Sequence, residues 1–264
     1  MKSIYLPVFL FALMARCTPT TAPASETHIA DRAYHQLKIY HLDSEEQEMA
    51  LDSYLRKAYL PALKRHGFQG AGVFKLRPEQ DTLRKTYVLQ SFSALEDIVK
   101  LDEVLLADET YLKAGSAYLH AAHDNPPYNR ISTVLMRAFA DFPSLVPTPL
   151  TGFRADRIYE LRSYESATEF DFKNKVDMFN AGGEVKLFDK LGFNAVFYGE
   201  VLAGASMPNL MYMTTFADQK SRDDHWKAFV DSPEWNDLKV LPEYQNNVSH
   251  IDITFLYPTA YSGY

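Results

Sequence analysis

Residues 37–40, LKIY, and residues 161–164, LRSY, each close a strand-like segment and lead through a polar turn into a helical pattern. The parallel continues along both halves of the chain. KRHGF and DKLGF end the two helical patterns in Gly67-Phe68 and Gly192-Phe193, where glycine takes the left-handed backbone that stops a helix at little cost. A strand-like run follows (QGAGVFKL, NAVFYGEV), then a second one (KTYVLQSF to Phe92, NLMYMTTF to Phe216). From Phe92 to Tyr111 and from Phe216 to Trp235 the count is the same, nineteen positions. Each half closes on a last strand, RISTVLMRAF to Phe139 and VSHIDITFLY around Phe255. A duplication of this kind constrains the fold more than any single element, because both copies must satisfy one topology.

Strand, helix, strand, strand, helix, strand, written twice, is the split βαβ order, and it predicts an α+β fold of two tandem ferredoxin-like (βαββαβ) repeats. Each repeat makes a four-stranded sheet with both helices on one face. The open faces can then be buried sheet to sheet, giving a barrel within one chain. The expected units are a first repeat over 31–142, a linker over 143–156, a second repeat over 157–258 and a tail over 259–264. Pro143, Pro147 and Pro149 rule out a continuous helix in the linker.

Of the 264 residues, 47% are hydrophobic, enough for a buried core. A net charge of -7 and the lack of any long Lys/Arg cluster argue against a nucleic-acid partner. Residues 1–24 differ from the rest. Lys2 precedes an apolar run, Ile4 to Met14, too short to span a bilayer, and Ala22-Pro23-Ala24 offers small residues to a signal peptidase. This predicts an export signal and a periplasmic or outer-membrane-associated bacterial protein. The single cysteine, Cys17, is a candidate for lipidation and a membrane tether, with Arg16 in place of the usual small residue before it; cleavage near Ala24 is the other outcome. Cleavage there removes the only thiol, so disulfides and thiolate chemistry are not expected in the mature body.

The stretches RIYELRSYES, MFNAGGEVKLFDKLGF, MPNLMYMTTF, HWKAFVDSPEW and PTAYS together resemble the NIPSNAP family, in particular its exported bacterial two-repeat members, and NPPYNRISTVLMRAFADFPSLVPTP resembles their linker region. The resemblance runs from about residue 34 onward and is stronger in the second half. It implies a dimeric-type α/β barrel. It implies little about activity, since the family's biochemical role is unsettled and the wider superfamily includes cofactor-free monooxygenases, isomerases and haem enzymes.

The residues themselves offer two candidate sites. Phe172, Val176, Phe179, Gly183, Leu187 and Leu191 recur at helical spacing, which predicts one helix with Gly183 toward the sheet. Gly182 and Gly183 in a helix interior cost about 1 kcal/mol each relative to alanine. They would either open a pocket rimmed by Asn180 and Glu184 or permit close packing. On the strands, alternation separates Glu160 and Arg162 from Tyr159 and Leu161, and His250 and Asp252 from Ile251 and Ile253. If the helices cover the apolar faces, Glu160, Arg162, His250 and Asp252 meet inside the barrel and bind a polar ligand; at strand ends they are ordinary surface charges.

His120 and His123 read as a solvated helix end, and no metal site is expected. No phosphate loop, nucleophile elbow or H-E-x-x-H helix occurs, and no cofactor is expected; a haem ligand would have to be His225 or His250. Trp226 and Trp235 read as core packing, with Ser232 and Pro233 opening a short helix between them. His225 stands out because its counterpart is Leu101. The expected role is a small-ligand-binding or interaction module, with a homo-oligomer among its partners. A cofactor-independent monooxygenase- or isomerase-like enzyme is the alternative.

Overall fold

A computed structural model describes residues 31–78 and 84–264. The expected export signal over 1–24 and Cys17 lie outside the described residues. The first half runs β1 (Tyr34–Leu42), α1 (Glu45–Tyr54), a π-helical turn (Leu55–Tyr59), α2 (Leu60–Arg65), β2 (Gly72–Leu76), β3 (Arg84–Phe92), α3 (Leu95–Leu106), α4 (Glu109–Leu119) and β4 (Arg130–Ala138). The second half repeats it with β5 (Ile158–Glu165), α5 (Glu169–Phe179), α6 (Glu184–Lys190), β6 (Ala195–Ala203), β7 (Asn209–Phe216), α7 (Gln219–Asp231), α8 (Pro233–Leu238), a 3₁₀ turn (Pro242–Tyr244) and β8 (His250–Pro258).

Local chemistry sets most of these boundaries. Ser44, Asp108, Thr168, Asp218 and Ser232 cap α1, α4, α5, α7 and α8, each side chain accepting from a backbone N–H in the first turn. Gly67 and Gly192 hold φ of 74° and 76° where the sequence asks for helix stops. Pro233 sits in the first turn of α8, which Ser232 caps, as expected.

All neighbouring strands pair antiparallel in one closed barrel, β1-β3-β2-β8-β5-β7-β6-β4. Within it, β4-β1-β3-β2 and β8-β5-β7-β6 are the two ferredoxin-like sheets. They join edge to edge, the second strand of each repeat pairing with the last strand of the other: Phe74 opposite Pro258, and Met136 opposite Val201. Closure leaves neither sheet an unpaired edge.

The sheet therefore has two buried faces. Leu37, Phe74, Leu89, Met136, Tyr159, Leu161, Phe197 and Met213 fill the barrel. The outer face of each half carries its own helix layer, a tyrosine- and leucine-rich core in the first repeat and a phenylalanine-rich one in the second. The tail over 259–264 is structural: Thr259 and Gly263 donate to the Val73 and Ala71 carbonyls, and Tyr264 packs into the barrel core.

One expectation fails in the second-repeat helix. The stripe from Phe172 to Leu191 is not one helix but two, α5 and α6, broken at 180–183. Gly183 lies outside the helical interior at φ 89°, a left-handed backbone where side chains are strained. A Cβ on Gly182 would stand 2.5 Å from the Met178 carbonyl oxygen. Both glycines serve the backbone of the break. The corresponding stretch of the first repeat, with one residue fewer between helix start and stopping glycine, stays helical through its π turn.

Candidate functional site

Register decides where the strand charges go. Tyr159 lies opposite Leu256, Leu161 opposite Thr254 and Ser163 opposite Asp252, while Glu160 lies opposite Phe255 and Arg162 opposite Ile253. Directly opposed residues share a face. Tyr159 and Leu161 belong to the barrel core, so Glu160 and Arg162 face the helix layer instead. His250 and Asp252 stand on the barrel face, exposed at its mouth, and bond each other at 3.2 Å. The expected four-residue cluster inside the barrel does not form, because its two halves lie on opposite sides of the sheet.

At the mouth, Glu165 joins His250 and Asp252, with one ligand atom from each within 4.8 Å of the others. Glu165 is half-buried and the other two are exposed. His225 is elsewhere again: its ring packs on Phe193 and Phe216, and Nδ1 donates to the Ser221 carbonyl. His225 is half-buried and His250 is exposed. Asn180 serves the backbone: its Oδ1 accepts from the Asp141 backbone N–H and its Nδ2 donates to the Val176 carbonyl, tying the end of the first repeat to the end of α5.

Glu160 and Arg162 have other company. Glu160 is fully buried, and its carboxylate accepts from Arg162 Nε at 2.7 Å, Arg222 Nε at 2.8 Å, Arg222 Nη2 at 3.0 Å and Trp226 Nε1 at 2.9 Å. Burial by itself would raise this carboxyl's pKa; Arg222, Arg162 and Trp226 outweigh it and hold the group below its ordinary value. The Arg162 guanidinium lies 3.7 Å from the centre of the Trp226 ring. Its Nη1 donates to the Tyr164 hydroxyl at 3.0 Å, which pairs in turn with the Tyr212 hydroxyl at 2.9 Å.

Across from these groups, α5 and α6 supply a second buried pair. Lys175 Nζ donates to Glu184 Oε2 at 2.9 Å and to Met178 Sδ at 3.2 Å, and it lies 4.7 Å from the Phe179 ring centre. Glu184 is the first residue of α6, so the glycine break that ends the long helix also delivers this carboxylate to Lys175. Between the two charged groups lies a cleft of about 450 Å³, walled by Arg162, Lys175, Glu184, Trp226 and Trp235.

Of the residues expected from sequence, Arg162 and Glu184 line this cleft and Glu160 stands behind it. Gly182, Gly183, Asn180, His225, His250 and Asp252 do not line it. Trp226 and Trp235, read as packing, do line it. Lys175 was missed although its spacing flags it: three positions after Phe172 and four before Phe179, it puts a charge on the buried stripe.

The first repeat lacks this arrangement. At the constant offset that aligns Leu37 with Leu161 and Phe92 with Phe216, Gln36 stands for Glu160, Lys38 for Arg162, Leu51 for Lys175, Ile98 for Arg222 and Asp102 for Trp226. The space between sheet and helices is filled there by tyrosines. Tyr54 stacks on Tyr118 with centroids 3.9 Å apart, and its hydroxyl meets that of Tyr111 at 2.8 Å. Tyr118 comes from α4, which runs eleven residues where its counterpart α8 has six.

Among curated proteins none matches this chain in sequence. Solved structures share its fold. A protein called a putative monooxygenase from Lactobacillus acidophilus NCFM superposes with a TM-score of 0.56 at 8% identity, covering 86% of this chain and 94% of its own. Another of that name from Fusobacterium nucleatum gives 0.55 at 8% identity, covering 87% and 93%. An anthrone oxidase-like protein gives 0.50 at 12% identity, covering 88% and 93%. At such identities the likeness concerns the dimeric α/β-barrel architecture alone. The NIPSNAP family model matches residues 159–263, the half that holds the cleft, and the protein therefore carries a NIPSNAP domain in its second repeat.

Proposed function

We propose that this protein binds a small organic molecule in the cleft between the second-repeat sheet and helices α5 to α8. The observation that carries the reading is the difference between the repeats. The same space is packed with tyrosines in the first half. In the second it is an open cleft of about 450 Å³ with buried polar groups on aromatic walls, a combination typical of ligand sites. Buried ion pairs contribute little net stability compared with apolar packing, so Lys175–Glu184 and the Glu160 cluster are better accounted for as a binding surface than as core.

The test is mass spectrometry of small molecules released from the purified protein, alongside the variant Val230→Trp, which places an indole at the cleft's exposed rim. A compound that co-purifies with the parent and is lost from the variant supports the reading. A compound retained equally by both sinks it.

The Lys175–Glu184 pair supports a second reading, cofactor-independent oxygenation or isomerisation, since it can hold and pass a proton beside a bound molecule. Oxygen uptake or product formation by the protein with its released ligand, abolished by Glu184→Gln, would favour it.

The proposed setting is outside the cytoplasm, on the strength of the apolar run from Ile4 to Met14 and the small residues near Ala24. A membrane fraction that is the same with Cys17→Ser would remove the lipid tether. Association with a second copy, read by light scattering, would use helix faces, because the closed barrel leaves no strand edge to pair.

A further inference from the structure

We propose that the cleft selects an organic monoanion with a flat, unsaturated body, holding its negative group between Arg162 and Lys175 and its body against Trp226 and Trp235. The proposal rests on the reading of this cleft as the ligand site.

Charge balance is the first support. Three cations, Arg162, Arg222 and Lys175, and two buried carboxylates, Glu160 and Glu184, stand in and directly behind the cleft. Both oxygens of Glu160 are engaged by two arginines and an indole, and Glu184 is held by Lys175. Arg222 also pairs with the exposed Asp223 at 3.0 Å, so the charges behind the cleft balance and the excess is in the lining itself. Of the residues lining the cleft, Arg162, Lys175 and the exposed Lys239 are basic and only Glu184 is acidic. The lining is therefore richer in cations than in carboxylates, a local field that favours an anion over a neutral or cationic ligand.

Donor capacity agrees. Lys175 has three N–H bonds to give; Glu184 and Met178 take two of them. Arg162 has five, and its bonds to Glu160 and Tyr164 leave a hydrogen on each terminal nitrogen. Both side chains are more than nine-tenths buried by residue, so neither is an ordinary surface cation. Their positions are fixed before a ligand arrives: Arg162 by Glu160 and the Trp226 face, Lys175 by Glu184 and the Phe179 ring. Preorganised donors of this kind bind without first paying to be ordered.

The body of the ligand follows from the walls. Trp226 and Trp235 are the only tryptophans in the chain and both line the cleft, with Phe229 and Val248 beside them. Indole faces favour flat π systems over branched aliphatic chains. The chain's net charge of -7 repels anions at long range, so the selectivity is local to these two donors and weakens as salt screens them.

The test uses the intact protein and three probes of one shape: benzoate, benzamide and benzylamine. Binding is read by quenching of tryptophan fluorescence, which reports on the cleft alone, and by calorimetry. Benzoate is expected to bind at least about tenfold more tightly than benzamide, with benzylamine weaker still. The paired variant Lys175→Met/Glu184→Gln removes one cation and one carboxylate together, so no charge is stranded, and circular dichroism verifies its fold. It should lower benzoate affinity by about tenfold or more and leave benzamide affinity unchanged. Benzamide binding as tightly as benzoate, or benzylamine binding best, overturns the monoanion assignment and leaves the cleft as a site. A failure of all three probes to bind overturns the assignment as well; the ligand-release comparison with Val230→Trp then decides separately whether the cleft is a site.

Discussion

Arg162 and Trp226 stand face to face, guanidinium carbon 3.7 Å from the ring centre, and both bond the same carboxylate, Glu160. A strand residue and a helix residue are locked to each other through a third, fully buried group. That contact ties α7 to β5 and sets one wall of the cleft, so stability and binding share the same atoms.

Glu160→Gln keeps the shape and removes the charge, leaving Arg162 without its anion and Arg222 with only the exposed Asp223. The expected loss is about 3 kcal/mol, read from urea unfolding at neutral pH. The pH dependence carries a sign. The Glu160 carboxyl is held below its ordinary value of 4.5 in the folded protein, so its contribution is complete above that pH and is lost as the pH falls below it. The parent should lose this increment on acidification; Glu160→Gln should not.

His35 gives a second pH effect in a different window. It is fully buried in the barrel, with Nδ1 against Ser91 Oγ at 3.0 Å and no partner for Nε2. Burial lowers its pKa from 6.5 to about 4. The unfolded ring therefore takes up a proton that the folded one refuses. Stability is complete above pH 6.5 and falls by about 3 kcal/mol as the pH drops to 4. Denaturant midpoints between those limits should show this slope in the parent and lose it in His35→Phe.

The glycine break makes a stability prediction with no bearing on charge. Gly183→Ala puts a side chain at φ 89° and should cost about 1 to 2 kcal/mol. Gly182→Ala meets backbone at 2.5 Å and should cost more than Gly183→Ala in the same thermal denaturation series.

Tyr118→Ala should hollow the first repeat where the second is already open. Removing the ring stacked on Tyr54 is expected to cost about 3 kcal/mol by chemical denaturation. It should also create a site for apolar probes in the first half, visible as chemical-shift changes around Tyr54 and Tyr111. No such changes would mean that the first-half helices collapse into the gap.

Asn180→Ala should separate anchoring from binding. Losing its bond to the Asp141 amide is expected to cost about 1 kcal/mol and to speed hydrogen exchange at that amide, with benzoate binding unchanged.

The order of elements, the duplication, the glycine stops and the Ser232 cap were legible in the sequence because each depends on local residues or on a repeated pattern. Gly67 and Gly192 stop helices, and Ser232 with Pro233 starts one, whatever surrounds them. The tertiary structure alone decided which face of each strand looks where. Alternation predicts orientation when one face of a sheet is wet, but in this barrel both faces are buried, one by the opposite repeat and one by helices. Glu160 and Tyr159 are therefore both fully enclosed, on opposite sides. The cleft was hidden for the same kind of reason. Lys175, Glu184, Arg162 and Trp226 come from four elements, and only closure of the barrel and the break at Gly182-Gly183 bring them together.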